Sequence, residues 1–218
     1  MSVKTTSVDP SEQPTVFIVD DDPSICESLQ DLFEAVRIAA RCFGSAEDFA
    51  ARWTPRMTGC LLLDARLPGM SGVEFQERMA QLGMRLPIVF MTAHGDMAMV
   101  RKVLKGGAVE FLIKPFQKEE LLGAIENAFR LDGARRQEEA ERHSIEARIR
   151  LLSGRERQVM SMVTAGMLNK QIAAQLGLSE ITVKLHRRKV MERMQADSLA
   201  ELVKLCERVH FDGSRPAA

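Results

Sequence analysis

The sequence predicts an α/β fold, a doubly wound five-stranded parallel sheet, followed by a small all-α domain. Three observations carry this expectation. Short β-rich apolar runs alternate with amphipathic helical stretches over residues 1–130. Beyond residue 150 only helical patterns remain. The formal net charge of zero also hides a division: residues 1–130 hold 14 Lys+Arg against 18 Asp+Glu, and residues 131–218 hold 16 against 12. An acidic first part and a basic second part imply two domains with different partners, nucleic acid being a candidate for the second.

In chain order, TVFIV (15–19) is a short apolar strand closed by acids, and VRIAARCF (36–43) is a weaker one with partial alternation. GCLLLD (59–64), LPIVFMT (86–92) and VEFLI (109–113) repeat the form of the first. Helical stretches lie at 24–35, 45–52, 71–82, 96–105 and 118–130. Strands alternating with helices at this spacing form a parallel sheet covered on both faces. Five such units are too few for an eight-stranded barrel. The domain therefore spans 1–130.

Residues 131–150, LDGARRQEEAERHSIEARIR, are polar and rich in helix formers, which suits a helical linker continuing the last helix, with Gly133 weakening one end. The second domain, 151–218, holds helical stretches at 152–166, 169–177, 179–194 and about 198–208, then the tail FDGSRPAA, expected to fray. No run of about 18 apolar residues and no signal-peptide pattern is present, so the expectation is a cytoplasmic protein without a membrane partner. The four cysteines, Cys26, Cys42, Cys60 and Cys206, have no zinc spacing and read as small hydrophobes.

In an open parallel sheet, ligands bind beyond the carboxyl ends of the strands. Asp20 and Asp21 follow the first strand, Asp64 closes the third, Thr92 the fourth, and Lys114 follows the fifth. Each has an ordinary explanation alone: a turn acid, a helix cap, a solvated lysine. Asp22 before Pro23 is such a cap. Together they converge on one end of the sheet. Three carboxylates there repel unless a cation is present, and hard oxygen ligands suit Mg²⁺. A carboxylate beside Mg²⁺ can act as a nucleophile and form an aspartyl phosphate, with the lysine and the hydroxyl holding phosphoryl oxygens. His94, in the loop after Thr92, reads as solvated.

DDD (20–22), LLLDARLPGMSG (61–72), MTAHGD (91–96) and AVEFLIKPF (108–116) resemble the receiver domain of two-component response regulators, over most of 14–130. The resemblance implies a flavodoxin-like fold, with Asp64 as phosphoacceptor and Mg²⁺ as cofactor. It makes Asp21 the direct metal ligand, Asp20 one acting through water, and Arg66 the donor of a backbone carbonyl. Thr92 becomes the switch hydroxyl, Lys114 the phosphate-binding lysine and Phe111 the switching aromatic, and the Lys114–Pro115 bond is expected to be cis. Phe111 has no hydroxyl, so any coupling through it must run through packing. Gly106-Gly107 departs mildly from the family's small-residue-then-glycine pattern.

In the second domain, Leu176-Gly177-Leu178 makes a tight turn and Ser179 an N-cap, the layout of a helix-turn-helix. Ile181 or Val183, with Val190 and Met194, faces the core. Lys184, Leu185, Arg188 and Glu192 share another face, at offsets near i, i+4 and i+8. Such a face reads bases in a major groove, while Lys170, Thr182, Arg187 and Lys189 are candidate phosphate contacts. A structural role for His186 weighs at least as much as DNA contact.

LSGRERQVMSMVTAGMLNKQIAAQLGLSEITVKLHRRKVMERM resembles the DNA-binding domain of LuxR-type regulators, over 152–208. Glu156 resembles that family's buried packing acid, Lys184, Leu185 and Arg188 match its base-facing positions, and Arg193 stands near a position often occupied by lysine. With the receiver in front, the resemblance is to the FixJ subfamily. It implies a phosphorylation-dependent transcriptional regulator, an activator by this kinship, that is not an enzyme beyond its own phosphoacceptance and dephosphorylation. The implied partners are a sensor histidine kinase, double-stranded DNA, RNA polymerase and a second copy of the chain on phosphorylation. Two alternatives stand beside it. A haloacid-dehalogenase-like phosphohydrolase would want an acid two residues after the nucleophile, where this chain has Arg66. A phosphorylation-independent interaction and DNA-binding module would have lost an acid, the threonine or the lysine, all present here.

Overall fold

The computed structural model describes residues 13–93 and 97–211. His94, Asp96 and the tail from 212 onward lie outside the described residues. The chain divides into two compact units, Met1–Arg135 and Arg136–Ala218.

In the first unit, β1 (Thr15–Val19), β2 (Ala39–Phe43), β3 (Gly59–Asp64), β4 (Ile88–Thr92) and β5 (Glu110–Ile113) alternate with α1 (Pro23–Ala35), α2 (Ala46–Arg52), α3 (Gly72–Met79), α4 (Met97–Lys105) and α5 (Lys118–Arg150). The strands form one parallel sheet in the order β2-β1-β3-β4-β5. Successive side chains of a strand point to opposite faces, and the core divides accordingly. Phe17, Val19, Leu61, Leu63 and Phe90 pack with Phe49 of α2, Phe75 of α3 and Val103 of α4. Val16, Ile18, Cys60, Leu62, Val89 and Met91 pack with Phe33 of α1 and with Leu121 and Ile125 of α5. The central strands are apolar throughout because both faces are covered, which is why GCLLLD shows no alternation.

Helix starts follow local chemistry. Asp22 accepts the Ser24 N–H at 2.9 Å, with Pro23 at the first helical position of α1. Ser71 and Glu74 form a reciprocal capping box on α3. Gly106 has a packing reason. A Cβ there would meet the buried Gln76 amide at 2.8 Å, and that amide donates to the Val103 carbonyl at 3.0 Å.

α5 is one continuous 33-residue helix, as the helix formers of 131–150 imply, and Gly133 does not interrupt it. Its residues do different work in the two units. Asp132 is buried in the first, where it accepts the Gly59 N–H at 3.0 Å and an Arg135 N–H at 2.6 Å. Ile145 is buried in the core of the second.

The second unit adds α6 (Gly154–Thr164), α7 (Asn169–Leu176), α8 (Glu180–Met194) and α9 (Leu199–Arg208). Val159, Met160, Ile172, Val183, Val190, Met194 and Leu202 form its core with Ile145. Arg148 donates to the Met194 carbonyl at 2.9 Å, and Arg208 pairs with Glu141 at 2.8 Å. Among the described residues no helix is long and apolar enough to cross a membrane.

Candidate functional site

Strand register builds the first site. Val19 lies beside Leu63, so Asp20 and Asp64 leave neighbouring strands at one level. Thr92 pairs with Ile113, and the next residue is Lys114. The order reverses between β1 and β3, and the site lies at the crevice this opens beyond their carboxyl ends. Lys114 Nζ lies 2.6 Å from Asp20 Oδ2 and 2.8 Å from Asp64 Oδ2, bridging residues 94 and 50 positions away. Asp20 and Thr92 are 2% and 1% exposed, and Asp64 is 8% exposed. Burial works to lower the Lys114 pKa, but the hydrogen bonds and charges of Asp20 and Asp64 outweigh it and hold the ammonium above its usual value.

The remaining valences are fixed by backbone. Asp20 Oδ1 accepts the Asp22 N–H at 3.0 Å, and Asp64 Oδ1 accepts the Arg66 N–H at 2.8 Å. Gly72 lets α3 approach: a Cβ there would sit 2.1 Å from the Asp64 carbonyl oxygen. Asp21 is exposed beside the buried pair, and Arg66 is exposed at the mouth. Phe111 is half-buried and packs against the cluster that holds Phe90. The Lys114–Pro115 bond is cis.

Among the described residues no group of three or more His, Cys, Asp or Glu side chains is gathered to hold a metal ion. Mg²⁺ does not need one. It keeps several waters and takes only one or two carboxylates, a donor type that Asp20, Asp21 and Asp64 have at this end of the sheet. The residues present therefore fit that ion.

In the second unit, Gly177 adopts φ +65° at the end of α7, and Ser179 accepts the Thr182 N–H at 3.1 Å to start α8. Val183 is fully buried and Ile181 is 80% exposed, so Val183 takes the core position. Lys184, Leu185, Arg188 and Lys189 are exposed on α8, and Lys170 is exposed on α7. Leu185 is an apolar side chain held out in water. Arg188 Nε rests 2.9 Å from Glu192, an exposed i, i+4 pair. Thr182 shares a hydrogen bond with the Ser179 hydroxyl at 2.8 Å. Arg187 is half-buried and donates to Asn169 Oδ1 at 2.7 Å, so part of its guanidinium joins α8 to α7. His186 is half-buried, with Nδ1 enclosed and without a partner.

Glu156 is 3% exposed. Burial opposes its charge, but the Ser153 backbone and hydroxyl, then Arg193 and Lys189, lower its pKa overall. Arg193 contacts Glu156 at 2.5 Å and the Leu151 carbonyl at 3.0 Å. Sequence reasoning did not find Asn169, Asp132 or the close approach at Gly72. Only the absence of a side chain at Gly72 in the MSG motif signalled any of them.

Comparison with known proteins identifies both units. Residues 16–126 match the response regulator receiver domain, and residues 150–206 match the bacterial regulatory proteins of the luxR family. The chain belongs to the response regulators. Nodulation protein W of Bradyrhizobium diazoefficiens is 45% identical to this response regulator over 90% of the chain and 87% of its own length. The response regulator protein TmoT of Ectopseudomonas mendocina is 40% identical over 91% and 90%. Among solved structures, the response regulator StyR superposes with a TM-score of 0.82 at 44% identity, covering 90% of this chain and 99% of its own. Full-length FixJ from B. japonicum gives 0.55 at 38%, covering 90% and 97%. The doubly wound receiver and the helical second unit expected from sequence are thus both present. A receiver joined to a LuxR-type domain makes this response regulator a two-component transcriptional regulator and not a classical enzyme.

Proposed function

We propose that this response regulator accepts a phosphoryl group on Asp64 from a sensor histidine kinase and then binds promoter DNA as a transcriptional activator. The observation that carries the reading is the Lys114 ammonium held between Asp20 and Asp64. It sets a fixed positive charge directly against the carboxylate that would act as nucleophile, where phosphoryl oxygens would arrive. An Asp64 oxygen attacks phosphorus, the O–P bond forms, and the bond to the donor imidazole nitrogen breaks. The imidazole leaves neutral, taking any proton it needs from solvent. Lys114 moves its hydrogen bond from Asp64 to a phosphoryl oxygen, and the Thr92 hydroxyl donates to another. Asp21, Asp64 and the Arg66 carbonyl would hold Mg²⁺, with Asp20 reaching it through water. When bound, that ion supplies neutralisation of the crowded charge.

The output follows as a population shift. Phosphorylation changes DNA binding only if the active arrangement is the one it stabilises, and equal stabilisation of both would shift nothing. Thr92 and Phe111 are the proposed switch pair. Met97, Leu104 and Ile113, on α4 and β5, are 68%, 43% and 54% exposed, and this supports a second copy of the chain docking on the α4–β5–α5 face. Dimerisation would set two α8 helices on paired half-sites, with Lys184, Leu185 and Arg188 towards the bases. Lys170, Thr182, Arg187 and Lys189 would hold phosphates. The domain plan 1–130, 131–150 and 151–218 belongs to this reading, as do recruitment of RNA polymerase and a cytoplasmic location.

Incubation with acetyl phosphate and Mg²⁺, followed by intact-mass measurement, tests it. The wild type should gain one phosphoryl group and Asp64→Asn none. Labelling that persists in Asp64→Asn refutes the phosphoacceptor, and an unlabelled wild type favours a phosphorylation-independent module.

A further inference from the structure

Two of the four cysteines, 16 residues apart in sequence, are brought together beside the acid pocket. Cys26 is in the first turns of α1 and Cys42 in β2, and the two residues are in contact. Cys42 Sγ also lies 3.5 Å from the Cys26 carbonyl oxygen. Cys26 Sγ in turn lies 3.8 Å from the Asp20 carbonyl oxygen. Cys42 is half-buried, whereas Cys60 and Cys206 are buried with no second thiol beside them among the described residues. Isolated buried cysteines serve well as small hydrophobes. A contacting pair with one member open to solvent has a chemistry that isolated ones lack.

We propose that Cys26 and Cys42 are a dithiol site that a peroxide converts reversibly into an intramolecular disulfide, loosening the Asp20 end of the acid pocket. Cys42, the more accessible, attacks the peroxide: its S–O bond forms, the O–O bond breaks, and one water (or alcohol) leaves. The Cys26 sulfur then attacks the Cys42 sulfenic acid: the S–S bond forms, the S–O bond breaks, and the Cys26 proton leaves in a second water. Two thiols are oxidised by two electrons and one peroxide is reduced. Burial pushes the Cys42 thiol up to about 12 and raises that of Cys26, so little nucleophilic thiolate is present near neutrality and the reaction quickens as pH rises.

The consequence for the pocket follows from the lost proton. A disulfide sulfur cannot donate, so the Asp20 carbonyl loses the Cys26 hydrogen bond beneath the loop that carries Asp20, Asp21 and Asp22. Disulfide formation does not depend on the phosphoryl reading, but this effect on Mg²⁺ does rest on it.

The test treats the full chain with hydrogen peroxide, blocks remaining thiols with N-ethylmaleimide in denaturant, and digests it without reductant. The expected result is one cross-linked peptide joining Cys26 to Cys42, with Cys60 and Cys206 alkylated, reversed by dithiothreitol and absent in Cys42→Ser and in Cys26→Ser. Sulfinic acid on Cys42 without that cross-link, or only intermolecular disulfides, overturns the proposal. Calorimetric Mg²⁺ titration should give affinity weaker by roughly two- to tenfold in the oxidised protein, the size of one lost hydrogen bond. Equal affinity of both forms overturns the coupling. A reduced wild type that binds no Mg²⁺ instead sinks the phosphoryl reading and leaves the cross-link result to judge the dithiol.

Discussion

Replacing Lys114 by methionine removes the positive charge that bridges Asp20 and Asp64 and keeps most of the side chain's bulk. The ammonium sits 2.6 and 2.8 Å from two carboxylates whose side chains are 2% and 11% exposed, and its own side chain is 15% exposed. Removing one partner of a buried pair leaves uncompensated charge and costs about 3–5 kcal/mol. Here two carboxylates are left facing each other, so Lys114→Met without Mg²⁺ should lose about that much. Mg²⁺ that binds the folded site and not the unfolded chain should, at a hundred times its dissociation constant, return about 2.7 kcal/mol. Urea unfolding measures both quantities. Trp53 is the single tryptophan of the chain and packs against the receiver core, so its fluorescence follows that unit, while circular dichroism follows both. A variant within about 1 kcal/mol of wild type, with no response to Mg²⁺, would show that the ammonium does not hold the carboxylates together, since a surface pair is worth no more than that.

Gly72→Ala would force a Cβ against the Asp64 carbonyl, so it should cost roughly 1–3 kcal/mol and reduce acetyl phosphate labelling, while a Gly133→Ala control, helical and with nothing near its Cβ, leaves labelling unchanged. Glu156 has a lowered pKa when folded, so its contribution is present above its unfolded value near 4.5 and fades as pH falls through the folded one. Acid titration of wild type and Glu156→Gln by circular dichroism should therefore converge at low pH and separate near neutrality. On operator DNA, Arg188→Ala should relax sequence preference by about 1–3 kcal/mol at one base pair, whereas Lys189→Ala should weaken binding to all sequences alike and reduce the salt slope by about one. Fluorescence anisotropy at several salt concentrations separates the two.

What could be read from sequence was whatever repeats locally. Strand-length apolar runs ending in Asp20, Asp64 and Thr92 needed only the rule that parallel strands share one carboxyl end. The turn at Gly177 and the cap at Ser179 were legible because φ and capping are decided within a few residues. Pairings across long separations were not. Nothing near Asp132 announces that it meets the Gly59 N–H 73 residues earlier, and nothing near Arg187 names Asn169, 18 residues away. Periodicity also left Ile181 and Val183 as equal candidates for the core, because both are β-branched and apolar, and only packing places Val183 inside. Gly106 stood out in the sequence only as a departure from the small-residue-then-glycine pattern, and it makes room for the Gln76 amide.

The Asp132 carboxylate bears on how this protein should be dissected. A fragment stopping at residue 130, where the apolar pattern of the sheet domain ends, would take the carboxylate acceptor from the Gly59 N–H, a loss of about 1–3 kcal/mol. Carrying the fragment through Arg135 keeps the carboxylate and its guanidinium. Two receivers differing by five residues would then differ in melting temperature without any change at the phosphoacceptor, and the shorter would understate how sturdy this half of the molecule is.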